Sequence, residues 1–247
     1  MKRIIIGFAA VLLIISCKEE KKETSESTAM EVETSTNEND WEVLFDGSSF
    51  DKWKEFQSDG VSEVWKIEGD AMVYTPPGEG EENKNHDLVT KEEFTDFELS
   101  LEWKISEGGN SGVFWGVNED SIYRTGYQTG PEIQILDNEK HPDAKAGTTH
   151  QAGALYDMMA PAKDVTKPVG EWNAMVITVN HQKEMGNVVL NGTEVVSFPV
   201  ANESWKAMVA DSKFADWEGF GKFHTGKIGL QDHGNVVAFK NIKIKQL

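Results

Sequence analysis

Two short pairs of residues carry most of the chemistry legible in this chain: Glu132 with Gln134, and Gln231 with His233. A carboxylate is normally ionised near neutral pH and an imidazole titrates close to it. The two can therefore hold opposite protonation states and work as a base and an acid. The glutamines add amide donors and acceptors, which orient a polar ligand and stabilise an oxyanion. Asn110 opens a third polar run, NSGVFW at 110–115, and Trp115 ends it with an aromatic face against which a ring could pack. The expected set is Glu132 and His233 as the catalytic acid/base pair, with Asn110, Trp115, Gln134 and Gln231 binding the substrate.

A spacing of two puts side chains on one face of a β-strand. Glu132, Gln134 and Leu136 then share a face, Ile133 and Ile135 face a core, and Gln231 and His233 share a face of another strand. The site is complete only if both strands lie in one concave sheet. The rest of the domain supports that setting. Phe97, Leu99, Leu101, Trp103 and Ile105 alternate with Glu98, Ser100, Glu102 and Lys104, the period of a half-buried strand. Asn191-Gly192 between apolar runs at 188–190 and 193–198 predicts a hairpin with a two-residue primed turn. Further strands are expected at 172–179, 229–232 and 236–244. One short helix is expected within 204–214, with Ser204 as its cap. Many short antiparallel strands joined by Gly-rich turns predict an all-β, two-sheet antiparallel sandwich.

The N-terminal residues point to export. Lys2 and Arg3 precede an apolar run at 4–15, too short for a spanning helix of roughly 20 residues but suited to a signal-peptide core. It ends at Ser16-Cys17, which resembles a bacterial lipobox, and Cys17 is the sole cysteine. The expectation is a signal peptide over 1–16, a lipidated Cys17 with a disordered tether over 17–39, and one folded domain over 40–247. The tether has no aromatic residue and is rich in charged and hydroxyl side chains. A lipid-anchored outer-membrane lipoprotein of the cell envelope, periplasmic or surface-exposed, follows. The net charge of −18 repels nucleic-acid phosphates, so no nucleic-acid partner is expected.

Six motifs occur in order along nearly the whole domain: LFDG at 44–47, NSGVFW at 110–115, GPEIQILDN at 130–138, AGALY at 152–156, GEWN at 170–173 and GLQDHG at 229–234. Together they resemble the 3-keto-disaccharide hydrolase family. The resemblance implies a jelly-roll sandwich of the concanavalin A-like kind, similar to legume lectins and laminarinase-type glucanases. It also implies a carbohydrate substrate, a glycoside already oxidised to a ketone at sugar carbon 3. The residues agree with that chemistry. An ordinary glycosidase needs two carboxyl groups about 5 to 9.5 Å apart, and Glu132, Asp137 and Asp232 do not alternate onto one face. A ketone at carbon 3 acidifies the carbon-2 hydrogen, so one base, an acid and oxyanion donors suffice for elimination followed by hydration. A divalent metal ion is a possible substitute for the amides as electrophile. His86, His141, His150, His181 and His224 read as loop residues without standard metal-ligand spacing, although His141 and His150 are placed to reach the site mouth. The alternative is a surface glycan-binding module without catalysis, which needs aromatics and amides but no placed Glu and His. A structural or assembly role leaves the polar motifs without a purpose.

Overall fold

The computed structural model describes residues 40–78 and 84–247. The expected signal peptide, Cys17 and tether lie outside the described residues. Thirteen strands follow in chain order: β1 Glu42–Phe45, β2 Trp53–Glu55, β3 Trp65–Glu68, β4 Ala71–Tyr74, β5 Leu88–Thr90, β6 Phe97–Ile105 and β7 Asn110–Val117, then β8 Glu132–Leu136, β9 Asn173–Asn180, β10 Met185–Leu190, β11 Thr193–Pro199, β12 Lys227–Leu230 and β13 Val237–Gln246. Among the described residues one α-helix, α1, spans Glu203–Ala210.

The strands form two antiparallel sheets. The larger runs β11-β10-β9-β6-β13-β4-β3, with β1 also paired to β13, and the smaller runs β2-β5-β12-β7-β8. The chain is a two-sheet antiparallel sandwich, as its alternation predicts, and of the jelly-roll kind that the family resemblance implies. In β6 the odd-numbered residues Phe97 to Ile105 are buried while Glu98, Ser100, Glu102 and Lys104 are half-buried. The buried set packs with Ile133 and Ile135 of the smaller sheet. That packing removes large aromatic and aliphatic area from water, the main favourable contribution to folding. The 191–192 turn holds φ of 49° at Asn191 and 78° at Gly192, the two left-handed residues a primed turn requires. The helix starts differently from expectation. Asn202, not Ser204, caps it, its Oδ1 accepting from the Trp205 amide at 2.9 Å.

Two features of the smaller sheet set up the site. β12 and β8 flank β7, but the strand expected at 229–232 ends at Leu230, so Gln231 and His233 share no strand face; they lie in the loop leaving β12, where the Gln231 amide donates to Gly112 O of β7 at 2.9 Å. Residues 153–156 then run along the outer edge of β8. Gln134 N donates to Ala154 O, Gly153 N to Gln134 O and Tyr156 N to Glu132 O. This covers an edge that would otherwise expose unpaired backbone groups. It also explains the 152–156 motif, which brings Tyr156 next to Glu132. Leu136, expected on the face of Glu132, instead packs with the core at the end of β8.

Candidate active site

A pocket of about 350 Å³ opens on the side of the smaller sheet away from the core, and five of the six expected residues line it: Asn110, Glu132, Gln134, Gln231 and His233. Strand parity brings Asn110, Glu132 and Gln134, while Gln231 and His233 come from the loop that follows β12. Ile133 and Ile135 take the core side of β8, which leaves Glu132 and Gln134 for the pocket.

The sixth, Trp115, is a correction. It is 4% exposed and packs in the core, its ring stacked on Phe198 at 5.5 Å. In β7 it shares parity with Val113, also a core residue, and opposes Asn110 and Gly112. The aromatic surface of the pocket comes from elsewhere. Tyr127, Tyr156 and Trp217 line it, with Phe214 and Phe220 behind. Tyr127 lies 5.8 Å from Trp217, and Phe214 stacks on Phe220 at 3.9 Å. The sequence signal for these was the aromatic-rich loop after α1, which carries Phe214, Trp217 and Phe220 within seven residues. Lys213 from the same loop completes the lining.

Glu132 is only 7% exposed. Its carboxyl lies across the backbone of Gly112: a Cβ at that position would sit 2.1 Å from Glu132 Oε1 and 2.6 Å from Cδ. The glycine is therefore what admits the carboxyl. Burial pushes the Glu132 pKa up to about 8; Lys213 opposes the rise, and Asp87 and Asp143 add to it. A carboxyl raised this far in a cleft is a recurrent mark of a proton-transfer group.

His233 is held at the mouth. Asn110 Nδ2 stands 3.4 Å from His233 Nε2, and the His141 ring meets the His233 ring edge-on at 5.9 Å. Burial, then the neighbouring His233, lowers the His141 pKa. The turn carrying His233 is built by Asp232, whose carboxylate accepts from the amides of His86 and Gly234 at 3.0 and 2.9 Å. The amide of Asp232 in turn donates to Asp87 Oδ1 at 2.9 Å. Asp87 is fully buried, and burial is the largest cause of its pKa rising to about 7. Asp232 is thus occupied with the loop that follows β12. Asp137 is occupied too, accepting from the amides of Gly108, Glu139 and Lys140. Neither supplies a second pocket carboxylate to pair with Glu132.

Two amide oxygens, Asn110 Oδ1 and Gln231 Oε1, are buried without a hydrogen-bond partner. Buried acceptors left unsatisfied cost about 1–3 kcal/mol each, and such exceptions concentrate where a ligand completes them. A polyhydroxylated molecule has the donors these oxygens lack. Gln134 Oε1 accepts from the Ile135 amide at 3.2 Å.

The wall beside Glu132 is a polar frame. Tyr156 donates to Asp143 Oδ2 at 3.1 Å, and His150 Nε2 lies 3.2 Å from Asp157 Oδ1. The His150 and Tyr156 rings are 4.6 Å apart. Burial is the first cause of the raised Tyr156 pKa, with Asp143 next. Among the described residues, no group of three or more His, Cys, Asp or Glu side chains is arranged to hold a metal ion.

The chain has known relatives. A model of the 3-keto-alpha-glucoside-1,2-lyase-like domain matches residues 40–245. A Bacteroides thetaiotaomicron protein named 3-keto-disaccharide hydrolase is 33% identical over 100% of both chains. A crystal structure from Parabacteroides distasonis, described provisionally as a glycosyl hydrolase, is 31% identical. It covers 84% of this chain and 94% of its own, with a TM-score of 0.77. A second such structure from that organism is 27% identical, with 84% and 99% coverage and a TM-score of 0.62.

Proposed function

Since the chain belongs to the family of 3-keto-alpha-glucoside-1,2-lyase-like domains, we propose that it cleaves glycosides that carry a ketone at sugar carbon 3. The observation that carries this reading is Glu132, a buried carboxyl seated over Gly112 in a pocket with two unsatisfied amide oxygens.

The chemistry follows from that arrangement. The carbon-2 hydrogen of a 3-keto sugar is acidic because the ketone takes up the electron pair its loss leaves behind. Ionised Glu132 removes this proton, and the pair moves into a carbon 2–carbon 3 double bond with the charge on the carbon-3 oxygen. A buried carboxylate is short of solvation, which makes it a stronger base than one in water. As the carbonyl re-forms, the pair passes to the bond between carbons 1 and 2 and the carbon 1–oxygen bond breaks. Protonated His233 gives its proton to the departing oxygen. Water then adds across the new double bond, hydroxyl to carbon 1 and proton to carbon 2, so the sum is hydrolysis. Asn110, Gln134 and Gln231 hold the sugar hydroxyls. The Tyr127–Trp217 wall offers an apolar surface to a sugar ring or other leaving group.

We further propose, from the apolar run at 4–15 and the lipobox-like Ser16-Cys17 alone, that the protein is held in the cell envelope. In this proposal lipid on Cys17 supplies the anchor. A glycan-binding module would use the same amides and aromatics but has no use for a buried carboxyl with a raised pKa.

The test is to make Glu132→Gln and His233→Ala, confirm folding, and follow a 3-keto disaccharide and its unoxidised parent by mass spectrometry. A placed acid or base contributes roughly 100- to 10,000-fold, so turnover of the keto substrate should fall by that order in each variant. Near wild-type turnover in both variants would move the chemistry to other residues.

A further inference from the structure

Lys213 is a cation at the pocket that forms no ion pair with a carboxylate among the described residues. The chain has 42 acidic against 24 basic side chains, so partners are abundant. Lys54, Lys140, Lys206 and Lys240 each meet one, while Lys104 and Lys243, away from the pocket, likewise lie over ring faces. Among the described residues, the Lys213 ammonium meets only ring faces, at 3.9 Å from the Tyr156 centroid and 5.2 Å from that of Phe214.

Its base is fixed. The Lys213 amide donates to Asp157 Oδ2 at 3.1 Å, and the next residue, Phe214, is buried against Phe220. Its Tyr156 support is fixed as well, by the bond to Asp143. The side chain therefore lies along the pocket wall on the side of Glu132, close enough to act electrostatically on that carboxyl. Lys213 is exposed at the pocket rim, yet its backbone and the ring beneath its ammonium are held, and a preorganised cation beside a base is what a developing anion needs.

We infer that Lys213 is a further catalytic residue, whose ammonium stabilises the negative charge on the carbon-3 oxygen when Glu132 removes the carbon-2 proton. This rests on the 3-keto glycoside reading above. No bond to lysine forms. The electron pair from the broken C–H bond reaches the carbon-3 oxygen, is held there by the ammonium, and returns to the carbon skeleton as the leaving group departs.

The experiment compares wild type with Lys213→Met, Lys213→Arg and Lys213→Ala on a 3-keto disaccharide. Circular dichroism and melting curves check the fold. The expected result is a fall in kcat of about 100- to 1,000-fold for Lys213→Met with KM within a few-fold, the loss typical of one oxyanion-stabilising donor. Exchange of the carbon-2 hydrogen with deuterated solvent should fall in parallel. Lys213→Arg should retain part of the activity, and added methylammonium should restore part of it to Lys213→Ala, which a purely structural lysine would not allow. If wild type turns over the substrate and Lys213→Met does so within a few-fold in kcat, the inference is overturned and the glycoside reading stands. A change in KM alone overturns it too, and marks the lysine as a receptor for an anionic substituent. If wild type neither turns over nor exchanges the substrate, both readings fall together.

Discussion

Replacing Glu132 by Gln should make the protein more stable while making it inactive, and the gain should depend on pH. The carboxyl has its ordinary value of 4.5 in the unfolded chain and about 8 in the folded one. Between those values the folded state holds the extra proton, so stability falls as pH rises through that window. It is undiminished below about pH 4.5 and fully lost above about pH 8. At pH 7 the unfolded chain has gained about 2.5 pH units of ionisation that the folded chain has hardly shared. At about 1.36 kcal/mol per unit this is on the order of 3 kcal/mol against folding. Glutamine has nearly the same shape and does not titrate. Its variant should gain on the order of 3 kcal/mol at pH 7 and almost nothing at pH 4.5. For a domain of this size that corresponds to a rise in Tm of roughly 6–12 °C at pH 7. The assay is denaturant or thermal unfolding of both proteins at half-unit steps from pH 4.5 to 8.5. All other titrating groups are common to the pair, so the difference curve isolates residue 132. A difference that is flat with pH, or a variant less stable at pH 7, would refute the account of a desolvated carboxyl. The trade of stability for a buried functional group is general in active sites.

Other positions give sharp outcomes. Gly112→Ala puts a Cβ 2.1 Å from Glu132 Oε1 and 2.7 Å from its Cγ, so the whole side chain must move. Overpacking of this kind costs about 1–3 kcal/mol, and turnover of a 3-keto glycoside should drop at least 100-fold; activity within a few-fold of wild type would show that Glu132 need not lie there. Trp115→Ala removes a core ring and should cost about 3–5 kcal/mol in chemical denaturation. KM measured below the lowered Tm should hold near wild type, and a large rise would return Trp115 to the pocket. Cys17→Ser should release the folded protein from membranes on fractionation, and quantitative retention after correct cleavage would remove the lipid anchor.

The strand pattern was legible because period-two alternation is local: β6 has the limits its alternation implies, and Asn191-Gly192 forms the turn its residue types require. The same alternation sent Glu132 and Gln134 to one face and the isoleucines to the other. Strand parity also held the answer for Trp115, since residues 110 and 115 of one strand face opposite ways. Only the structure decided that the gap between the sheets, beside Phe198, was where that ring would be buried. Nothing local placed Lys213, Phe214 and Trp217 opposite Glu132, because their loop lies some 80 residues along the chain and reaches the site by packing. The raised Glu132 pKa is likewise a tertiary property. A glutamate and a glycine twenty residues apart are ordinary in sequence, and become a buried carboxyl over a bare backbone only when β7 and β8 pair.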